Sequence, residues 1–135
     1  MMKTLLLALL ATLSLSASDI AAFAQKMSYE TVYTQAIEKA KAEDKKVMLL
    51  MVTNYCPWCR KFEKRTLVKE EVNSLVHKDY IPLILNREKG EFPQKFLTKR
   101  IPVVIFIDPY KEEALHESLG FKNVSDFVKE LKIIK

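Results

Sequence analysis

Residues 45–60 read KKVMLLMVTNYCPWCR, and this stretch decides the fold. Its apolar run, 47–52, is short and does not alternate with polar residues, which is typical of a strand buried on both faces of a sheet. Two cysteines separated by two residues follow the run, and a helical pattern begins at Arg60. The stretch therefore predicts a central strand that leads through Cys56 into the start of a helix.

The cysteine pair at the start of this predicted helix favours redox chemistry. Cys56 would lie at or just before the first turn, where free backbone N–H groups and the positive end of the helix dipole stabilise a thiolate. Pro57 suits the first helical position because it has no N–H group to leave unpaired. Cys59 lies about one turn further along, so the two sulfurs can close a disulfide. We expect Cys56 to be the nucleophile and Cys59 the resolving thiol.

Two other interpretations of the cysteine pair stay open. A purely structural disulfide across so short a loop would contribute only about 2 kcal/mol of chain entropy. A zinc site would need four ligands, and the other candidates, His77 and His116, lie 18 and 57 residues after Cys59, a spacing that matches no compact zinc module. We assign neither histidine a role, and we predict no metal and no organic cofactor.

The N-terminus has the layout of a secretory signal peptide. A lysine is followed by an uncharged run, 4–18, which is shorter than the roughly 18 to 20 apolar residues of a membrane-spanning helix. Small residues at Ala22 and Ala24 predict cleavage after Ala24, which divides the chain into a signal peptide, 1–24, and a domain, 25–135. A weaker cleavage site is Ser16-Ala17-Ser18.

Composition and charge limit the function classes. With 49% hydrophobic and 29% charged residues, two glycines and five prolines, the chain has the composition of one globular domain. Its formal net charge is +5, but lysine and glutamate are interleaved along the chain. This pattern is typical of a solvated surface, so we predict no nucleic-acid partner.

The remaining periodicities predict alternating helices and strands, and hence an α/β sandwich with a mixed central sheet. Ser28 is the expected N-cap of the first helix, and either Asn123 or Ser125 that of the last. The helix after the cysteines is expected to kink or split within 66–70. The expected helices begin with 29–44 and the later strands are 81–85, 103–107 and 113–119, the last pairing back through the turn 108–111.

The chain resembles the thioredoxin-fold superfamily. The resemblance rests on the strand 47–52, the Cys56-Pro57-Trp58-Cys59 motif, the Ile101-Pro102 pair and the turn 108–111. More narrowly, residues 36–72 are similar to small exported thioredoxin-like proteins related to the C-terminal domain of the disulfide reductase DsbD. The resemblance implies a three-layer sandwich, with helices on both faces of the mixed sheet.

The resemblance also implies further site residues. Pro102 would follow a cis peptide bond and face the cysteines, and the backbone of Ile101 would pair with an extended substrate segment. Pro57 and Trp58 would support the active site, with Trp58 on its exposed lip. Leu50 occupies the position at which cytoplasmic thioredoxins carry a buried aspartate. Proton transfer at Cys59 is therefore expected to use water or a peripheral group.

The implied function is that of an exported, monomeric thiol:disulfide oxidoreductase of the periplasm. It would reduce protein disulfides and be recharged by a membrane thiol donor of the DsbD type. An oxidant or isomerase is an alternative, although the large helical insertion of DsbA-like oxidants and the dimerisation segment of dimeric isomerases are missing. The other alternative is a binding module that delivers a metal or heme and uses the two cysteines as ligands.

Overall fold

A computed structural model describes residues 18–135, so most of the predicted signal peptide lies outside the described residues. The described chain has five α-helices and four strands, together with one π-helix and two short 3₁₀ helices. In chain order these are α1 (Asp19–Met27), α2 (Tyr33–Glu43), β1 (Lys46–Val52), α3 (Pro57–Phe62), the π-helix (Glu63–Leu67), α4 (Glu70–Asp79), β2 (Tyr80–Asn86), the 3₁₀ helices (Arg87–Lys89 and Gln94–Phe96), β3 (Val103–Asp108), β4 (Glu113–Leu119) and α5 (Val124–Ile134).

The four strands form one mixed sheet in the order β2-β1-β3-β4. β1 pairs in parallel with β2 and antiparallel with β3, and β3 pairs antiparallel with β4. The apolar run that the sequence predicts to be central is the inner strand β1, and residues 47–52 are fully buried. The predicted α/β class with a mixed sheet is confirmed.

Helices cover both faces of the sheet because successive side chains of β1 point to opposite sides. Met48, Leu50 and Val52 pack into a hydrophobic cluster with residues of α1, α3, α4 and α5. The alternate residues, Val47, Leu49 and Met51, pack into a second cluster with α2. The result is the expected three-layer sandwich, with both cysteines in the layer on the first face.

The helical segment after the cysteines is divided, as the sequence predicts. α3 runs directly into the π-helix, which ends at Leu67, and α4 begins at Glu70. At the other end of the chain, Asn123 rather than Ser125 caps α5: its Oδ1 accepts a hydrogen bond of 2.8 Å from the backbone N–H of Asp126.

The start of α2 corrects the sequence prediction. The helix begins at Tyr33 and not at Tyr29, and Ser28 is the C-cap of α1, with a left-handed φ of 57°, rather than the N-cap of α2. Between the two helices, Glu30 lies beside the outer side of β2. Its N–H donates to the carbonyl of Pro82, and its own carbonyl accepts from the N–H of Ile84. These strand-like hydrogen bonds hold the segment around Glu30 extended, so α2 begins only at Tyr33.

The first helix, α1, spans the predicted cleavage point between Ala24 and Gln25. Ile20, Phe23 and Ala24 are buried in the cluster that contains the cysteines. The hydroxyl of Ser18 caps the helix by accepting a hydrogen bond from the backbone N–H of Ala21. Between residues 18 and 135, none of the helices combines the length and the apolar character needed to cross a membrane.

Candidate active site

The two cysteines form a disulfide at the N-terminus of α3. Cys56 is the N-cap residue, Pro57 occupies the first helical position, and the Cα atoms of the two cysteines are 5.2 Å apart. The Sγ of Cys56 accepts a hydrogen bond of 3.2 Å from the backbone N–H of Cys59. In the reduced protein, this N–H and the helix dipole would stabilise a thiolate on Cys56.

The two cysteines differ in their accessibility to solvent. Cys56 is 7% exposed, whereas Cys59 is fully buried. A thiolate or a disulfide of another molecule can therefore reach Cys56 far more readily than Cys59. This difference agrees with the predicted division into an outer nucleophile and an inner resolving thiol.

Strand register brings Ile101 and Pro102 to the end of the sheet from which the cysteine loop emerges. Met51, near the end of β1, is opposite Val103, the first residue of the antiparallel β3. The Ile101–Pro102 peptide bond is cis, as the resemblance implies. Ile101 is partly buried against the cluster that contains both cysteines.

An aromatic lip borders the disulfide. Trp58 is 55% exposed, and its ring centroid lies 6.0 Å from that of Phe121 in the segment after β4. The ammonium group of Lys61 lies 4.2 Å from the centroid of the Trp58 ring, within the range of a cation–π interaction. Tyr55, just before the first cysteine, is 97% exposed. The surface next to Cys56 is thus both apolar and accessible.

A buried carboxyl group lies one helical turn beyond Cys59. Glu63 is 4% exposed, and its Oε2 is 2.7 Å from the Nη2 of Arg60 and 3.0 Å from its Nε. Burial raises the pKa of Glu63, and the charge and hydrogen bond of Arg60 oppose that rise. A buried carboxylate is costly unless it is paired, so the guanidinium group is what makes this position tolerable for glutamate.

Glu63 was not among the site residues predicted from the sequence. It follows Cys59 by four residues in continuous helical chain, so the two side chains lie on the same helix face. Its carboxyl group is therefore a candidate to take up the proton that the Cys59 thiol must lose before it attacks. Leu50 is buried beside the cysteines, as predicted, and provides no such group.

A signal for Glu63 was present in the helical spacing. The buried face of the helical segment follows the i, i+3, i+4, i+7, i+8 pattern of Cys59, Phe62, Glu63, Thr66 and Leu67. A charged residue at the centre of an apolar stripe is a buried ion, and Arg60 three residues before it is a suitable partner.

The histidines take part in packing. His77 Nε2 lies 2.9 Å from the carbonyl oxygen of Met27 and so joins α4 to the end of α1. The ring of His116 lies 6.0 Å from that of Phe106. Within the described part of the chain, no three His, Cys, Asp or Glu residues form a group that could hold a metal ion.

A family model described as thioredoxin-like matches residues 29–109. Among curated proteins, spermatogenesis-associated protein 20 of the rat is 29% identical over 55 residues, and that of the mouse is 31% identical over 55 residues. Each alignment covers 41% of this chain but only 7% of the curated relative.

Solved structures share the fold. A thioredoxin from Thermus thermophilus has a TM-score of 0.70 at 21% identity, covering 78% of this chain and 85% of that one. A DsbH oxidoreductase has a TM-score of 0.68 at 21% identity, with 78% and 82% covered. The oxidised C-terminal domain of DsbD from Neisseria meningitidis has a TM-score of 0.64 at 19% identity, with 78% and 99% covered. At these identities the likeness concerns the fold alone.

Proposed function

Since the chain belongs to the thioredoxin-like family, we propose that it is a thiol:disulfide oxidoreductase that reduces protein disulfides with Cys56 and Cys59. One observation carries the proposal: the two cysteines form a disulfide across the first turn of α3, with the outer sulfur accepting an N–H from the inner residue. Such a pair can be opened and closed with little movement of the backbone.

The proposed reaction has two exchange steps. The Cys56 thiolate attacks one sulfur of the substrate disulfide, which forms a mixed disulfide and releases the other substrate sulfur as a thiolate. Cys59 then loses its proton and attacks the Sγ of Cys56, which closes the Cys56–Cys59 disulfide and releases the second substrate sulfur. Two electrons pass from the dithiol to the substrate, and the two protons lost by Cys56 and Cys59 are balanced by two taken up by the released substrate thiolates.

Glu63 would assist the second step. Its carboxylate can accept the Cys59 proton, and Arg60 keeps that carboxylate in place through two short contacts. Ile101 would present backbone groups to the extended substrate segment at the end of the sheet where the disulfide lies. Pro57 and Trp58 would shape the surface around Cys56.

The proposed location is the periplasm, and the proposed reductant is a membrane thiol donor of the DsbD type. The oxidising periplasm does not recharge a reductase, so such a donor is required. For the exported form, the burial of Ile20, Phe23 and Ala24 favours cleavage at the weaker site, after Ser18, which keeps residues 19–27 of α1 and removes only its Ser18 cap.

The test of the proposed function is trapping with cysteine variants. Cys59→Ser should accumulate a mixed disulfide between Cys56 and a disulfide-bonded protein, because no internal thiol remains to release it. Cys56→Ser should accumulate little, because Cys59 is fully buried. Non-reducing electrophoresis and mass spectrometry of the linked peptides measure both. Equal trapping by the two variants contradicts the assignment, and failure of the reduced wild-type protein to reduce any disulfide contradicts the function.

A further inference from the structure

Three chain segments surround the disulfide: 55–61 around the cysteines, 97–102 before β3, and 119–122 after β4. They come together because β1 and β4 both pair with β3. Val103 is opposite Met51 on one side and Leu119 on the other, and the N–H of Gly120 donates to the carbonyl of Pro102 over 2.8 Å. We call the surface that these segments form the disulfide face.

The charge of the disulfide face is entirely of one sign. The three segments contain five Lys and Arg residues and no Asp or Glu, and the whole chain has a formal net charge of +5. The rest of the chain is therefore neutral in sum. The neighbouring loop, 86–92, carries two cations and two anions. The positive charge of this protein is thus concentrated around its reactive disulfide.

Four of these five cations are free to attract a partner. Arg60 is paired with the buried Glu63 and lies 3.9 Å from the exposed carboxylate of Asp19. Among the described residues, no acidic group forms a salt bridge with the other four, which we call the basic rim. The basic rim consists of Lys61, Lys99, Arg100 and Lys122.

The basic rim is held next to apolar surface. The Nζ of Lys61 lies 4.2 Å from the ring centroid of Trp58 and 5.4 Å from that of Phe121, and the Nζ of Lys122 donates to the carbonyl of Leu119. Lys99 and Arg100 are exposed beside Ile101. Half of the eight large hydrophobic residues exposed in the described chain belong to the disulfide face: Tyr55, Trp58, Leu97 and Leu119.

We propose that the disulfide face selects protein disulfides flanked by acidic residues. This inference rests on the proposed function and names its substrate class. Carboxylates beside the substrate disulfide would meet the basic rim, while apolar substrate residues would contact Trp58 and Phe121. Complementary charge of this kind raises the rate of productive encounter and suppresses partners of the wrong sign. We favour a protein segment over an anionic membrane because the reactive disulfide lies in the middle of this surface. The partner must bring a sulfur atom to it, and a phospholipid has none.

The test uses three synthetic peptides that share one disulfide loop and its apolar residues. Four Glu, four Gln or four Lys flank the loop. The reduced full-length domain should reduce the acidic peptide about 10-fold faster than the neutral one at low ionic strength, and the basic peptide slowest. In 1 M salt, where the Debye length is about 3 Å, the three rates should converge. Thiol release is followed by alkylation and mass spectrometry.

Paired variants identify the residues responsible. Lys99→Gln combined with Arg100→Gln should lower the ratio of acidic to neutral rates several-fold. Lys41→Gln combined with Lys129→Gln removes the same charge from exposed positions outside the disulfide face and should leave the ratio unchanged. Circular dichroism establishes that both double variants are folded.

The outcomes separate the two proposals. If none of the peptides is reduced, the proposed function fails. If all three are reduced at equal rates at low salt, the function stands and the acidic preference is wrong. If both double variants lower the ratio equally, the preference comes from net charge and not from the disulfide face, and the proposed role of the basic rim is wrong. Binding to anionic phospholipid vesicles that depends on Lys99 and Arg100, without any preference among the peptides, would assign the rim to a membrane surface instead.

Discussion

Glu63 is the residue whose chemistry most affects how the cysteine pair works. Its carboxyl group is buried in the helical layer that contains both cysteines, and Arg60 is its ionic partner. We expect Glu63→Gln to slow the closure of the mixed disulfide by roughly 10²-fold, because a general base contributes about that much or more to a proton transfer. Attack of Cys56 on the substrate should change much less. Rapid-quench alkylation resolves the two steps.

The pH dependence of stability distinguishes an ionising Glu63 from a merely structural one. Burial raises its pKa in the folded protein above the ordinary value of 4.5. The folded state therefore holds this proton to higher pH than the unfolded state, so the contribution of Glu63 to the free energy of unfolding falls as pH rises from about 4.5 through the raised pKa. Glu63→Gln should lack that fall in urea titrations. The exposed Glu71→Gln should retain it, and an unchanged pH slope in Glu63→Gln refutes the argument.

For individual residues, the sequence predicts the positions that local helix geometry determines. Cys56, Pro57 and Cys59 lie where the start of a helix alone places them, so their positions could be inferred without knowing the rest of the fold. Glu63 is different, because its burial depends on α5 and α1 packing over the same face. Its charge suggests a surface position, and although the helical spacing places it on the apolar face, the burial itself depends on tertiary contacts.

Among the secondary-structure elements, α1 bears most directly on the proposed cleavage of the chain. Its residues Ile20, Phe23 and Ala24 are buried, and the ring of Phe23 lies 5.0 Å from that of Tyr29. A chain that starts at Gln25 loses all three. Since burial of one large apolar side chain contributes about 1.5–3 kcal/mol, this loss should lower the free energy of unfolding by roughly 3–6 kcal/mol. A chain that starts at Asp19 retains them.

Urea unfolding of the two chains measures the difference, and Phe23→Ala in the longer chain gives the contribution of one contact. The N-terminal sequence of the protein recovered from an exporting cell identifies the natural start. Equal stability of the two chains, together with a natural start at Gln25, would show that α1 is dispensable.

The elements differ in how well sequence patterns predict them. β1, β2, β3 and β4 were all predicted because their apolar runs or turn residues are local. The start of α2 was not, because the apolar spacing continues back to Tyr29 while hydrogen bonds from β2 hold Glu30 extended. α1 was hidden for another reason: its small and apolar residues also fit the end of a signal peptide.

For the whole molecule, the charges around the cysteines bear on the direction of electron flow that we propose. Trp58 carries no charge, so it adds nothing to the stability of a Cys56 thiolate, and an ionised Glu63 disfavours a second negative charge nearby. Both effects make the couple less oxidising, whereas the cations of the basic rim favour a Cys56 thiolate and act in the opposite direction, so the contributions partly cancel. We expect a reduction potential between about −270 mV, the value for thioredoxin, and about −180 mV, that for protein disulfide isomerase.

Equilibration with glutathione, followed by alkylation of the free thiols, measures this potential. A matched titration of Trp58→His tests the charge argument, because a protonated histidine between the cysteines should move the couple toward more oxidising values. A wild-type potential near −120 mV, the figure for DsbA, would replace the proposed reductase by an oxidant.

The two edges of the sheet bear on how this protein avoids aggregation. The outer side of β2 is occupied by Glu30, and Pro82 in that strand has no N–H to offer. In the described chain β4 pairs with β3 alone, and six of its seven residues are exposed. Glu113 and Glu117 place charge along this open edge, which discourages pairing with strands of other molecules. A thiol:disulfide oxidoreductase built in this way can exchange electrons with a partner protein at one end of the sheet without joining it into a shared β-sheet along its side.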